Sequence, residues 1–254
     1  MGITVQVLPH AGRCEDLSDT AVVFPAYNEE RRVSEAVETA LGVGVGRVVC
    51  VNDCSTDGTP AILDSWRNDP RVDVIHHAVN QGKQAAVKHG LLRALEHKEL
   101  LRFATLDADM QDNPAELPRM AAPVGKWDVV NALRSRDEMP AARQVANFLA
   151  NFPYHALARV RIRDLQAGYR VYTREVAEYL ARHLTVAGGY TLEHTTMVLF
   201  GELAARRRAP FRIAEVPVPY SYGGAKSHIR LKDNVQLTAA SVLCAWRLAR
   251  TLRG

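Results

Sequence analysis

The stretch Thr105-Leu-Asp-Ala-Asp-Met-Gln-Asp-Asn-Pro114 follows directly on an apolar run and gathers Asp107, Asp109, Gln111 and Asp112. Phe103, Ala104 and Leu106 read as the end of a buried strand. Carboxylates set down at such a place cost free energy unless a partner compensates them. In an extended segment, residues two apart share a face, so Asp107, Asp109 and Gln111 would present their oxygens together. Oxygen-only ligands suit Mg²⁺ or Mn²⁺, which share a few carboxylates with substrate phosphates. A lone Asp-x-Asp is more often a polar turn; its place in the chain makes this one specific.

That place emerges from two alternating periodicities. Ala21-Val-Val-Phe24, Val48-Val-Cys-Val51, Val72-Asp-Val-Ile75 and Asp128-Val-Val-Asn-Ala132 read as short strands, with another through Phe103 and Leu106. Val33, Ala36, Val37, Ala40 and Leu41, and later Val87, Leu91 and Leu95, recur at helical spacing. The alternation predicts an α/β fold, a mostly parallel sheet with helices on both faces. Such sheets bind ligands at the carboxyl ends of their strands. The polar clusters fall there: Pro25-Ala-Tyr-Asn-Glu29 after the first strand, Asn52-Asp-Cys-Ser-Thr-Asp-Gly58 after the second, and Asp107-Ala-Asp109 after the fourth. Gly42-Val-Gly-Val-Gly46 superficially resembles a dinucleotide fingerprint. It ends a helix and precedes a strand, the reverse of what a fingerprint requires, and reads as a helix terminus.

The second half is less regular. Ala141 to Val160 is helix-like, and Ala214-Glu-Val-Pro-Val-Pro219 reads as an extended edge segment limited by its prolines. From Asn234 a helix carries Val235, Ala239, Val242, Trp246 and Ala249 along one stripe. Leu237, Leu243, Leu248 and Leu252 widen it, and Arg247, Arg250 and Arg253 add charge. The expected division is an α/β domain over 1–228 and a C-terminal amphipathic helix over 229–254. That helix would lie on a membrane surface, on a second subunit or back on its own domain.

Composition narrows the class. The chain has 254 residues, 47% of them apolar, enough for a sizeable core, and a formal charge of +4 that suits a phosphate-bearing partner. Its four cysteines form no disulfide framework, and Cys50 and Cys54 lack a second pair to complete a zinc site. The N-terminus has no signal pattern, and no run reaches the ~20 apolar residues of a membrane span. These features predict a cytoplasmic protein, soluble or peripheral on the inner face of the cell membrane, with no nucleic-acid partner.

In this order, FPAYNEE (24–30), VNDCSTDGT (51–59), NQGKQAAVKHGL (80–91) and TLDADMQDNP (105–114) resemble the family 2 glycosyltransferases of GT-A fold, Rossmann-like nucleotide-diphospho-sugar enzymes. RDLQAGYRVYTR (163–174), AEVPVPY (214–220) and GGAKS (223–227) are similar to those of its polyprenyl-phosphate (dolichyl-phosphate) mannosyl- and glucosyltransferases. The resemblance implies that Pro25, Tyr27 and Glu29 surround the base and ribose and that Asp53 holds the base. Asp107, with Ala108 beside it, would touch ribose or metal. Asp109, a candidate catalytic residue, and Gln111 would ligate Mg²⁺ or Mn²⁺ and the diphosphate. Gly82 and Lys83 match the family's basic loop, Lys83 having a surface lysine as its plainer reading. Arg134, Arg170 and Lys226 would bind the acceptor phosphate or the leaving diphosphate.

The sequence departs from the family pattern at Ala167, at Ser221 or Tyr222, and at Ala225 and Ser227, all on the acceptor side. Asp164, the second candidate catalytic residue, could be a general base, an orienter of the arginines, or a structural partner of Arg161, Arg163 or Arg170. Glu193 could be a base or merely cap or pair on a helix. His76 and His77 read as strand-end surface residues. The implied reaction is inverting transfer of a hexose from a donor of GDP-mannose or UDP-glucose type to a polyprenyl phosphate. The alternatives are transfer to a hydroxyl of a small metabolite or natural-product scaffold, which needs a base, and a non-catalytic nucleotide-sugar-binding subunit.

Overall fold

Valine-rich strands buried on both faces form the centre of the molecule, as a parallel sheet between helices requires. The computed structural model describes residues 2–135, 139, 141–185, 192–207, 209–221 and 231–253, with the backbone alone for 141–143 and 231–237. Its strands are β1 (Ile3–Val7), β2 (Thr20–Ala26), β3 (Arg47–Asn52), β4 (Val72–His76), β5 (Arg102–Thr105), β6 (Val129–Arg134), β7 (Arg170–Thr173) and β8 (Phe211–Val218). They pair in the order β1-β8-β6-β7-β5-β2-β3-β4, and only β7 runs antiparallel to its neighbours. The helices are α1 (Val33–Gly42), α2 (Thr59–Ser65), α3 (Lys83–Leu95), α4 (Leu117–Ala121), α5 (Ala141–Pro153), α6 (Arg174–His183), α7 (Leu192–Arg207) and α8 (Leu231–Arg253).

Strand alternation sorts the core into two layers. Val23, Val49, Phe103 and Phe211 face α3, α6, α7 and α8, whereas Val22, Val48, Ala104 and Ala214 face α1, α2 and α4. The expected strands and helices of the first half are present. β1 and β7 lay outside the sequence reading; each is short, and β7 coincides with a stretch noticed for its motif rather than its periodicity.

The prolines of 214–219 misled. β8 is not an edge strand; it lies between β1 and β6. The β1 register ends at Val7 opposite Glu215, and Leu8 N–H donates to the Glu215 carbonyl (2.8 Å). Pro217 therefore lies two residues beyond the end of the β1 register, where its missing N–H leaves no partner unsatisfied.

The stretch after Ala141 is also more broken than its pattern suggests. α5 stops at Pro153, a π-helical turn follows over Tyr154–Ala158, and Arg159 in the left-handed region (φ 58°) ends it. The C-terminal helix inserts Cys244, Ala245 and Leu248 into the same core as α3, α6 and α7. Of the predicted stripe, Val242 and Trp246 face outward with Leu243, while the side chains of Val235 and Leu237 lie outside the described residues.

Gly90, inside α3, marks the closest helix-to-sheet approach: a Cβ there would lie 2.3 Å from Val23 Cγ1 and 3.2 Å from Val51 Cγ2. Gly90→Ala gains ~1 kcal/mol of helix propensity but overpacks a rigid core, at a cost of roughly 1–3 kcal/mol or more. The expected result is a lower Tm in thermal unfolding; an unchanged or higher Tm would show that α3 can lift from the sheet.

Candidate active site

Three strand ends converge because β2, β3 and β5 are parallel neighbours. β2 delivers Pro25 and Ala26 with Tyr27 and Glu29, β3 delivers Asp53, and β5 delivers Asp107, Ala108 and Asp109. Together with Lys83 and Ala86 of α3 they line a cleft of about 200 Å³. The structure thus brings together the residues expected for a nucleotide. Gly82 lies just outside: its φ of 85° starts α3, and its N–H donates to Asp53 Oδ2 at 2.7 Å.

The acids do not share the face of a strand. β5 ends at Thr105, and the chain turns through Met110 (φ 61°) so that the Gln111 N–H donates to Asp109 Oδ1 (3.0 Å). The turn crowds negative charge into a half-buried space. Burial, then the charges of Asp109, Asp107 and Asp57, push Glu29 up to about 7. Burial and Asp107 push Asp112 up to about 7 against the pull of Arg134, and burial with Asp107 raises Asp109. Asp112 Oδ1 is buried without a hydrogen-bond partner.

Lys83 stands among them. Lys83 Nζ is 2.7 and 2.8 Å from the two oxygens of Asp107 and 3.7 Å from Glu193 Oε1. Gly168, the glycine of Ala167-Gly-Tyr-Arg170, packs on this pair. A Cβ there would lie 3.3 Å from both Asp107 Oδ2 and Lys83 Nζ. Among the described residues no three acidic, histidine or cysteine side chains form a ready metal cage. Asp107 and Asp109 offer hard oxygens of the kind that hold Mg²⁺ or Mn²⁺ only together with substrate phosphates, whereas the expected third ligand, Gln111, has its side-chain oxygen engaged by Tyr220. The acid excess and the orphaned Asp112 oxygen fit a divalent cation.

The Gln111 side chain leads out of the cleft. Its Oε1 accepts the Tyr220 hydroxyl, and the Arg134 guanidinium stacks over the Tyr220 ring, 5.0 Å from its centroid. Arg134 Nε and Nη2 grip the two oxygens of Asp164 at 2.7 and 2.8 Å, and Asn147 of α5 donates to Asp164 Oδ1 (3.0 Å). The partner of Asp164 is therefore Arg134, not Arg161, Arg163 or Arg170. Beside it a groove of about 690 Å³ is lined by Arg119, Leu133, Arg134, Ser135, Arg163 and Pro217 to Pro219.

Other expected residues fall elsewhere. Arg170 is 2% exposed; its guanidinium donates to Asn131, Thr196 and the Leu165 carbonyl, so it braces β7 from within instead of facing the groove. Lys226 lies outside the described residues. Glu193 reaches the cleft through Lys83. His76 is exposed as expected, but His77 is buried against Asp53. Tyr220, Asn147 and Gly168 went unread, although Tyr220 and Gly168 sit within quoted motifs.

The sequence profile of Glycosyl transferase family 2 matches residues 21–212. An uncharacterized Methanocaldococcus jannaschii protein, MJ1222, is 27% identical over 208 residues, 79% of this chain and 81% of that one. The undecaprenyl-phosphate 4-deoxy-4-formamido-L-arabinose transferase of Pectobacterium atrosepticum is 26% identical over 176 residues, 66% of this chain; the chain spans 53% of that protein. The fold is similar to that of glucosyl-3-phosphoglycerate synthase from Mycobacterium tuberculosis, solved with Mn²⁺, UDP-glucose and phosphoglyceric acid. Its TM-score is 0.67 at 15% identity, covering 98% of this chain and 89% of that one. With the profile spanning most of the chain, from β2 to the start of β8, this chain belongs to glycosyl transferase family 2.

Proposed function

We propose that this glycosyltransferase moves a hexose from a nucleotide sugar to a polyprenyl phosphate at a membrane surface, with inversion and with Mg²⁺ or Mn²⁺ at Asp107 and Asp109. The observation that carries the reading is the two-sidedness of α5. Inward, Asn147 fastens the Asp164–Arg134 pair. Outward, Val145, Phe148, Leu149 and Phe152 form an exposed apolar ridge, with Phe148 64% and Phe152 55% exposed. A phosphate-binding cation beside a surface suited to lipid fits an amphiphilic acceptor. The Pectobacterium relative, an undecaprenyl-phosphate transferase by name, supports the same class. Among the described residues no helix is long and apolar enough to cross a membrane.

The residues divide the work. Asp53, Tyr27 and Glu29 hold the nucleoside, and Lys83 brings a fixed positive charge to the acids that meet the diphosphate. When bound, the divalent ion supplies charge that stabilises the departing nucleoside diphosphate. Arg134, held by Asp164 through Nε and Nη2, would meet the acceptor phosphate with the rest of its guanidinium. Asp164 fixes that guanidinium with both of its oxygens engaged. A phosphate nucleophile with a second pKa of about 6 needs no base. A second reading, transfer to a hydroxyl of a soluble acceptor, is favoured by Glu193, whose carboxylate stands 3.7 Å from Lys83 and could serve as that base. A donor screen with Mn²⁺, read by nucleoside diphosphate release with a short-chain prenyl phosphate or the prenyl alcohol, separates the two. Activity on the phosphate alone supports the first reading; activity on neither lipid, with donor hydrolysis intact, rejects it.

The acid cluster makes metal binding visible in stability. Glu29 and Asp112 bind protons more tightly folded than unfolded, both pushed up to about 7. Falling pH from 7 towards 5 therefore favours the fold, and rising pH removes that benefit. Mn²⁺ should raise Tm clearly at about pH 8 and little at about pH 5, and Asp109→Asn should abolish the shift and cut turnover roughly 10²-fold or more. An equal Mn²⁺ shift in Asp109→Asn would remove Asp109 from the metal site.

Asp164→Asn leaves Arg134 with a neutral partner. Breaking a buried ion pair costs roughly 3–5 kcal/mol, so Tm falls. Among molecules still folded, the acceptor KM should rise by about tenfold or more while kcat changes less. A loss confined to kcat would instead mark Asp164 as a base.

Phe148→Ser with Phe152→Ser touches only exposed side chains, so Tm should hold within about 0.5 kcal/mol of wild-type stability. Flotation with anionic vesicles should carry the wild type, and the double variant should stay behind. Wild type that ignores the vesicles would rule out the membrane-surface part of the proposal.

A further inference from the structure

Behind the donor cleft, Asp53 is one end of a chain of three titratable side chains. His77 Nδ1 lies 2.7 Å from Asp53 Oδ1, and His77 Nε2 lies 2.8 Å from His89 Nδ1. Asp53 is 4% and His77 8% exposed, and the two imidazoles meet edge to face with centroids 4.9 Å apart. The remaining contacts of the carboxylate are backbone: Gln81 N–H on Oδ1 (2.8 Å) and Gly82 N–H on Oδ2 (2.7 Å). Asp53 thereby fixes the turn that starts α3 and delivers Lys83 to Asp107.

The hydrogen bonds dictate where protons can sit. An ionised carboxylate only accepts, so the hydrogen facing Asp53 is on His77 Nδ1. His77 Nε2 then accepts when the ring is neutral and donates when it is charged, and His89 Nδ1 must take the opposite role. Two charged rings would point N–H at N–H across 2.8 Å, so the pair holds one extra proton or none. Burial, then the charges of His77 and Lys88, lower the pKa of His89, with Asp53 acting the other way. When that proton is on His77, it lies on the ring that faces the Asp53 carboxylate. The titratable groups around His77 are Asp53 after β3, with Cys54 next to it, and His89 and Lys88 on α3; Lys88 Nζ donates to the Leu184 carbonyl (2.8 Å).

We propose that His77 is a positioning residue for the donor site, and that the single proton shared by His77 and His89 sets how much of the Asp53 charge a nucleotide meets. This rests on the reading of the cleft as the nucleotide site. Neutral His77 leaves Asp53 its full negative charge to accept an N–H of the base; charged His77 offsets that charge from behind. Nucleotide is held more tightly above the transition than below it.

The test is titration calorimetry of UDP and of GDP, each with Mn²⁺, on the full chain from about pH 5.5 to about pH 8.5, the range in which histidine titrates. His77→Asn keeps an N–H where Nδ1 stands but takes up no proton there. Glu29, Asp112 and the diphosphate also titrate in this window, and the ratio of wild-type to His77→Asn affinity cancels them. The expected ratio falls as pH falls, with a slope of at most about one decade per pH unit, the limit for one proton. His77→Asn should bind close to wild type at the alkaline end, and His77→Ala should bind more weakly throughout. His89→Leu should move the midpoint of the wild-type step. A constant ratio, with wild-type binding intact, overturns the proposal alone. Failure of wild type to bind either nucleotide at any pH overturns it together with the nucleotide reading.

Discussion

Like charges crowd at one edge of this sheet because parallel strands place their carboxyl ends about 4.8 Å apart. Glu29, Asp107, Asp109 and Asp112 arrive there from two neighbouring strands, in a space half withdrawn from water. The arrangement persists because positive charge is built in beside it. Lys83 is placed by the turn that Asp53 anchors, and its ammonium sits on Asp107. The acids left unpaired by Lys83 still have room for more positive charge, which the divalent ion of the proposed complex would supply.

The Arg134 side follows the opposite logic. Arg134 is not left open to water but clamped in a bidentate pair with Asp164, itself held by Asn147. Such a clamp adds little net stability; it fixes the direction of a planar donor set. Tyr220 then couples the two halves, bonded to Gln111 on one side and lying under Arg134 on the other. Moving either the metal-side turn or the arginine would disturb the other through a single ring.

Much of the donor cleft was legible because its residues follow strands with strong periodicity, and the strand-end rule for parallel sheets is independent of detail. What could not be read was set by partners distant in sequence. His77 looked like a surface residue because its partner is distant in sequence; Asp53 reaches it only when β3 pairs with β4. Arg170 looked like a phosphate ligand, yet an antiparallel β7 between β5 and β6 turns it inward onto Asn131 and Thr196. Pro217 suggested an edge because sequence does not reveal where a neighbouring strand stops. The extended reading of Asp107, Asp109 and Gln111 failed for a local reason: β5 ends at Thr105 and Met110, just before Gln111, adopts the left-handed region, which no propensity for that residue announces.

The pairing of β1 with β8 also orders events during synthesis. Ile3 to Val7 leave the ribosome before the other strands described, but their neighbours are Phe211 to Glu215. The β2-β3-β4 side can assemble from contiguous chain, whereas the opposite margin must wait until Phe211 to Glu215 have been made. Until then the nascent chain carries an unpaired strand with exposed backbone donors, a template for pairing with another chain. Non-local closure of this kind slows folding, so the last step of the fold is where a chaperone, or misassembly with a second copy, would intervene.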